Sequence, residues 1–218
     1  MDRRQGRPLW QFRKRNGRSG NTILEFALAS LVLVPTMLGV VGIGMTLGSY
    51  IKILQTTRDT AHMFARGLDF DSVENRDIVV RLASTLHMTR NGGNGTVILS
   101  KIITPGAADC EAANRTNNCP NRDIPVIIHR VSIGNVALRA SRYGTPTSSI
   151  VSSDGNISPS DYLGDSSVRA PVLGAELATA GIVQQRGEIA YVVEAYFTLP
   201  SLQFLGFAPE GGYCRFMF

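Results

Sequence analysis

Glu25 is the only full charge between Arg18 and Lys52, and it lies within a run that is otherwise apolar and of membrane length. A lone carboxylate in such a run costs on the order of a few kcal/mol unless it is paired, which marks it as a functional residue. Its position supplies a partner. Cleavage after Gly20 would create an ammonium on Asn21 and make Glu25 the fifth residue of the shortened chain. Other candidates for chemistry are weaker. His62, His87 and His129 fall on two predicted helices and one strand, and no Gly-x-Ser-x-Gly, His-Glu-x-x-His or phosphate-loop motif is present. Asp69, Asp71 and Glu74 resemble a cation loop only superficially, because the glycine and terminal glutamate of a calcium loop are missing. Acids at the start of a helix are explained by its dipole. Neither catalysis, nor a metal, nor a cofactor is expected.

Cys110 and Cys119 bracket a short polar loop, and a disulfide closing it would suit an oxidising compartment. Two free thiols are the alternative, and a zinc site lacks the remaining ligands. Cys214 is left over, either buried or as a competing partner.

The charges divide unevenly along the 218 residues. Residues 1–20 hold seven cations against Asp2, a net +6 in a chain whose total is +5, so the remainder sums to −1. The basic character belongs to residues 1–20, and a nucleic-acid partner, which needs a basic face on the folded part, is not expected. Lys and Arg close to a spanning helix hold that side in the cytoplasm, so the C-terminal part is expected outside.

These residues must be positioned by a few elements. Residues 26–51 suffice to span a bilayer core, for which about 20 residues are needed. Pro35 interrupts the hydrogen-bond ladder and is expected to kink or loosen the helix. Gly39, Gly42, Gly44 and Gly48 give a thin face, with Gly44 and Gly48 at the spacing used for close helix packing. The helix is expected to continue to residue 66, about 65 Å in all, with Ile51, Leu54, Ala61, Met63 and Phe64 as its apolar stripe and Gly67 as terminator. Residues 73–89 read as a second helix, with Val73, Ile78, Val79, Leu82, Leu86 and His87 on one side. Strands are expected at 96–104, 124–133 and 188–199, the first two paired antiparallel, and a short helix near 172–181. Residues 134–170 read as a long loop, and the apolar end from Tyr213 to Phe218 is expected to dock. The fold class is α+β, a small antiparallel sheet lying on the long helix.

The stretch from Arg18 to Arg66 resembles the TadE-like pseudopilins of tight-adherence pili, and its start resembles the processing site of type IV prepilins. The matching pieces are Arg18-Ser19-Gly20, Glu25-Phe26-Ala27-Leu28, Val34-Pro35 and Ala61-His62-Met63-Phe64-Ala65-Arg66. They lie within the first third of the chain. The resemblance implies a non-enzymatic minor pseudopilin of the bacterial inner membrane, cut by a prepilin peptidase after Gly20. It also implies that Glu25 meets the Asn21 ammonium of a neighbouring subunit and sets register. Expected partners are the peptidase, other pilins or pseudopilins, the inner-membrane assembly machinery of a pilus or secretion apparatus, and the lipid bilayer. The expected divisions are a leader over 1–20, a spanning helix over 21–51, its continuation over 52–67 and an extracytoplasmic α+β domain over 68–218. The competing reading is an unprocessed, membrane-anchored periplasmic module whose 134–170 loop holds a ligand. A secreted enzyme is the third.

Overall fold

The computed structural model describes residues 21–199 and 211–218. The expected leader, with Gly20 of the processing site, lies outside them. The chain divides into two units, one up to Ile43 and the other Gly44–Phe218. Helix α1 (Asn21–Ala65) belongs to both and is continuous through Pro35.

In the larger unit the second half of α1 buries Ile53, Thr56, Thr57, Thr60, Ala61 and Phe64. These positions recur every three or four residues, the spacing of one helix face. The stripe differs from the expected one, since Ile51 and Leu54 are 45% and 47% exposed. Three threonines take their place because small side chains let the helix approach its neighbours closely. Their hydroxyls are satisfied without water: Thr57 Oγ1 donates to the Ile53 carbonyl at 2.6 Å and Thr60 Oγ1 to that of Thr56 at 2.8 Å. Gly67, at φ 85°, ends the helix, with its N–H on the Phe64 carbonyl and that of Leu68 on Met63. That pair of bonds is a Schellman cap, which needs a residue comfortable in the left-handed region.

Helix α2 (Val73–Leu82) is capped by Ser72, whose hydroxyl accepts from the Asn75 N–H. It is shorter than the expected 73–89 helix. A 3₁₀ turn over Ser84–Leu86 and left-handed His87 (φ 57°) lead into a two-residue hairpin, β1 (Met88–Thr89) and β2 (Gly92–Gly93). Its buried face is Val79, Ala83 and Leu86, while Val73, Ile78 and Leu82 remain 38–45% exposed. His87 therefore lies in a turn rather than on a helix.

The sheet contains β3 (Gly95–Ile103), β4 (Val126–Gly134), β5 (Ile189–Thr198) and β6 (Gly211–Met217), in the order β4-β3-β5-β6, all antiparallel. The three expected strands are present within a residue or two. The fourth is the apolar C-terminal segment, which pairs along β5 instead of merely docking. Gly212 lets β6 pass α1, because a Cβ there would lie 2.6 Å from Ile53 Cδ1. Alternation then separates two faces. Val97, Leu99, Val131, Ile133, Val193, Ala195 and Phe197 join the α1 stripe and α2 in one core.

The opposite face is covered by the segment from Asn135 to Thr179. Within the part expected as an irregular loop, 134–170, it holds α4 (Pro159–Gly164) and a 3₁₀ turn (Ser166–Val168), and α5 (Pro171–Thr179) is the short helix expected near 172–181. Isolated bridges tie Asn156 to His129 and Arg169 to Val126 of β4. A second core forms here from Ile102, Ile127, Tyr143, Ile157, Leu173, Leu177 and Val192. The β3–β4 register shifts between Lys101 and Ile102, where Ile128 is the extra residue of a bulge.

Between β3 and β4 lies α3 (Ala107–Ala112), and Cys110 is bonded to Cys119. A ring this small stabilises by about 2–3 kcal/mol in the chain-entropy account. Cys110→Ser is therefore expected to lower the thermal midpoint under non-reducing conditions. An unchanged midpoint would show that the loop is held by its other bonds. Cys214 is free and half-buried on the α1 side of β6, and burial pushes its thiol up.

Candidate functional site: an apolar helix and a polar sheet face

Among the described residues, α1 is the one helix long and apolar enough to cross a membrane, by length and composition. From Ile23 to Leu47 its large apolar side chains are 48–75% exposed and point in every direction around the axis. A helix apolar all round needs an apolar surrounding, either lipid or other helices. Its hydroxyls are already satisfied internally: Ser30 Oγ donates to the Phe26 carbonyl and Ser49 Oγ to that of Met45. Thr36 Oγ1 donates to the carbonyls of Val32 and Leu33, both at 2.9 Å, beside the N–H that Pro35 lacks. Within lipid such back-bonding removes the cost of a bare hydroxyl.

Glu25 is exposed, one turn into α1 from Asn21, with no hydrogen-bond or ion-pair partner among the described residues. A Cβ built on Gly39, Gly44 or Gly48 meets nothing within 4 Å. An alanine at any of the three therefore meets no steric obstacle from the rest of the described chain.

In the larger unit, the face of the sheet away from α1 carries an unexpected polar strip. Glu194 of β5 is 2% exposed. Its Oε1 accepts from the Arg142 N–H at 2.9 Å and the Tyr213 hydroxyl at 2.8 Å, and its Oε2 accepts from Ser141 Oγ. Burial and the neighbouring Glu194 charge both push the Tyr213 hydroxyl far up. Beside it, Tyr143 donates to Glu176 Oε2 at 2.9 Å, and Arg215 Nη1 reaches both Tyr143 Oη (2.8 Å) and Glu176 Oε1 (2.5 Å). Burial, reinforced by the bond to Glu176, raises Tyr143 to about 12. For Glu176, burial acts upward, but the bonds from Arg215 and Tyr143 outweigh it and the net shift is down. A carboxyl lowered on folding contributes stability above its ordinary pKa and loses it as pH falls through the lowered value. Glu176→Gln is expected to lower the thermal midpoint at pH 7, and the gap to wild type should close in acid. A gap independent of pH would assign Glu176 a packing role only.

The histidines do not converge. His62 lies against the Phe218 ring at 4.8 Å, His87 sits in its turn, and buried His129 bonds Asp71 Oδ1 at 2.9 Å. Asp69 accepts from the Asp71 N–H, so these acids serve local structure. Among the described residues no three of His, Cys, Asp and Glu gather as a metal site. Glu194, Arg130 and Tyr213 escaped the sequence reading. The available signal was Glu194 itself, a charge midway along the most regular strand. Comparison with protein-family models, with curated proteins and with solved structures found no match to this chain.

Proposed function

We propose that this chain is a TadE-like minor pseudopilin, a structural or assembly subunit of a bacterial tight-adherence pilus or related secretion apparatus. The observation that carries the reading is a helix apolar on every side over residues 23–47, interrupted by a single carboxylate one turn from its start. In this reading the helix sits in the inner membrane with the basic leader in the cytoplasm. The Cys110–Cys119 bridge supports placing Gly44–Phe218 in an oxidising compartment, the periplasm or beyond. Prepilin peptidase cuts after Gly20, the new Asn21 ammonium of one subunit pairs with Glu25 of the next, and the pair offsets much of the desolvation of both charges. Gly44 and Gly48 are the positions where a neighbouring helix can approach closely.

The test is the N-terminal residue of the chain recovered from membranes, read by mass spectrometry. Wild type should begin at Asn21, and Gly20→Ala should retain residues 1–20. Glu25→Ala should still be cut but should fail to enter assemblies. Wild type retaining its leader would overturn the proposal in favour of an unprocessed anchor. A start near residue 50 would indicate a signal peptide.

A further inference from the structure

The polar face opens into a cleft of about 570 Å³ between β4 and the segment that follows it. This is within the range of small-molecule sites, roughly 300–1,000 Å³. Two arginines line it, Arg130 and Arg139, together with the hydroxyl-bearing Ser132, Thr145 and Ser148 and with Ser141, whose hydroxyl is committed to Glu194; no acidic side chain lines it. Ile98, Val136, Ala140, Pro146 and Val151 supply its apolar lining, which is the larger part of its exposed surface.

Arg130 is poorly matched by its surroundings. Its Nη2 donates to the Gly144 carbonyl at 2.9 Å, but Nε is closed off from solvent with no acceptor. Burial draws its pKa down to about 10, against the opposing pull of Glu194. Glu194 is nevertheless committed elsewhere, its oxygens occupied by Ser141, Arg142 and Tyr213. Arg139 is exposed at the rim and held by two aromatic rings, 4.2 Å over Tyr213 and 5.4 Å over Tyr196. Among the described residues no carboxylate pairs with it. The two rings hold the exposed guanidinium in place, and a guanidinium's forked donors suit a planar carboxylate. An under-satisfied, half-buried cation and an exposed one at the rim line the same cleft. The three hydroxyls offer donors and acceptors to the rest of a ligand.

We propose that this cleft binds a small hydroxylated carboxylate, of the sugar-acid class, with its carboxylate on Arg130 and Arg139 and its hydroxyls on Ser132, Thr145 and Ser148. The site lies wholly within the Gly44–Phe218 unit, so it stands or falls independently of how the N-terminus is processed.

The test is binding to the full chain in detergent micelles, by calorimetry and saturation-transfer NMR. The probes are D-glucuronate, its neutral counterpart D-glucose, and inorganic phosphate. Glucuronate should bind saturably, with glucose and phosphate at least tenfold weaker. Arg139→Gln, at an exposed position, should weaken glucuronate about tenfold or more with no change in thermal midpoint. Arg130→Gln should do the same if it folds, and Arg139→Gln carries the test if it does not. Absence of saturable glucuronate binding would overturn the proposal. So would equal binding of glucose, preference for phosphate, or insensitivity to Arg139→Gln.

Discussion

Phe64→Ala is expected to destabilise the Gly44–Phe218 unit by about 3–5 kcal/mol, the usual cost of removing a fully buried phenyl ring. Phe64 is 1% exposed and stands where α1 meets the sheet and the turn before α2. Its ring meets Phe70 at 5.9 Å and Tyr191 at 5.3 Å, both edge-on, and His129 lies at 6.1 Å. Lys101 Nζ sits 5.6 Å from the ring centroid on a further side. Truncation therefore leaves a hole bounded by four separate elements, and none can close it without moving the others. Thermal unfolding of the full chain in detergent should show a midpoint lower by on the order of 10 °C for a unit of this size. Leu54→Ala, at an exposed position on the same helix, should change the midpoint little. Equal effects from the two would mean that α1 is not packed on the sheet through Phe64.

Glu194→Ala should cost a comparable amount, about 3–5 kcal/mol, for an electrostatic reason. The substitution strips acceptors from Ser141 Oγ, the Arg142 N–H and the Tyr213 hydroxyl, and removes the negative charge that favours the Arg130 cation. Buried donors left without acceptors each carry a desolvation penalty, so the loss exceeds that of any one bond. Glu194→Gln keeps an acceptor but not the charge and should fall between. A second readout separates charge from packing. Ultraviolet titration of the tyrosines should find Tyr213 displaced downward in Glu194→Gln, since the Glu194 charge is one cause of its elevation. Denaturant midpoints within about 0.5 kcal/mol of wild type for Glu194→Ala would mean that water replaces the carboxylate.

The outline of this fold was legible where one local rule dominated. The apolar run, the strict alternation from Tyr191 to Phe197 and Gly67 at a helix end each point to a single outcome, and α1, β5 and the cap follow. Reading failed where tertiary contact overrode local preference. Thr56, Thr57 and Thr60 look polar in sequence, yet Thr57 and Thr60 bond back to carbonyls of their own helix and Thr56 to the Leu82 carbonyl of α2, so all three occupy the buried stripe in place of Ile51 and Leu54. Residues 83–89 keep a helical rhythm, but left-handed His87 turns the chain toward a hairpin. Residues 134–170 are rich in Ser, Gly, Pro and Thr, so the order of this stretch was invisible. It is held by side-chain caps from Ser158 and Asp165 and by bridges to β4. The polar strip was hidden for a related reason. Glu194, Arg130 and Tyr213 are 19–83 residues apart in sequence, and only the pairing of β3, β4, β5 and β6 brings them to one face.

The α1 stripe also has a mechanical consequence. Ile53 and Phe64 are bulky members of the core shared with the sheet, and the four buried residues between them are small, so the two large side chains act as keys at either end. Tension along the helix axis would load this seam in shear, with all six buried side chains resisting together, rather than peeling strands away one bond at a time. Twist about the axis would have to lift both keys at once. The stretch from Ile53 to Phe64 thus resists both being drawn along the sheet and being rolled across it.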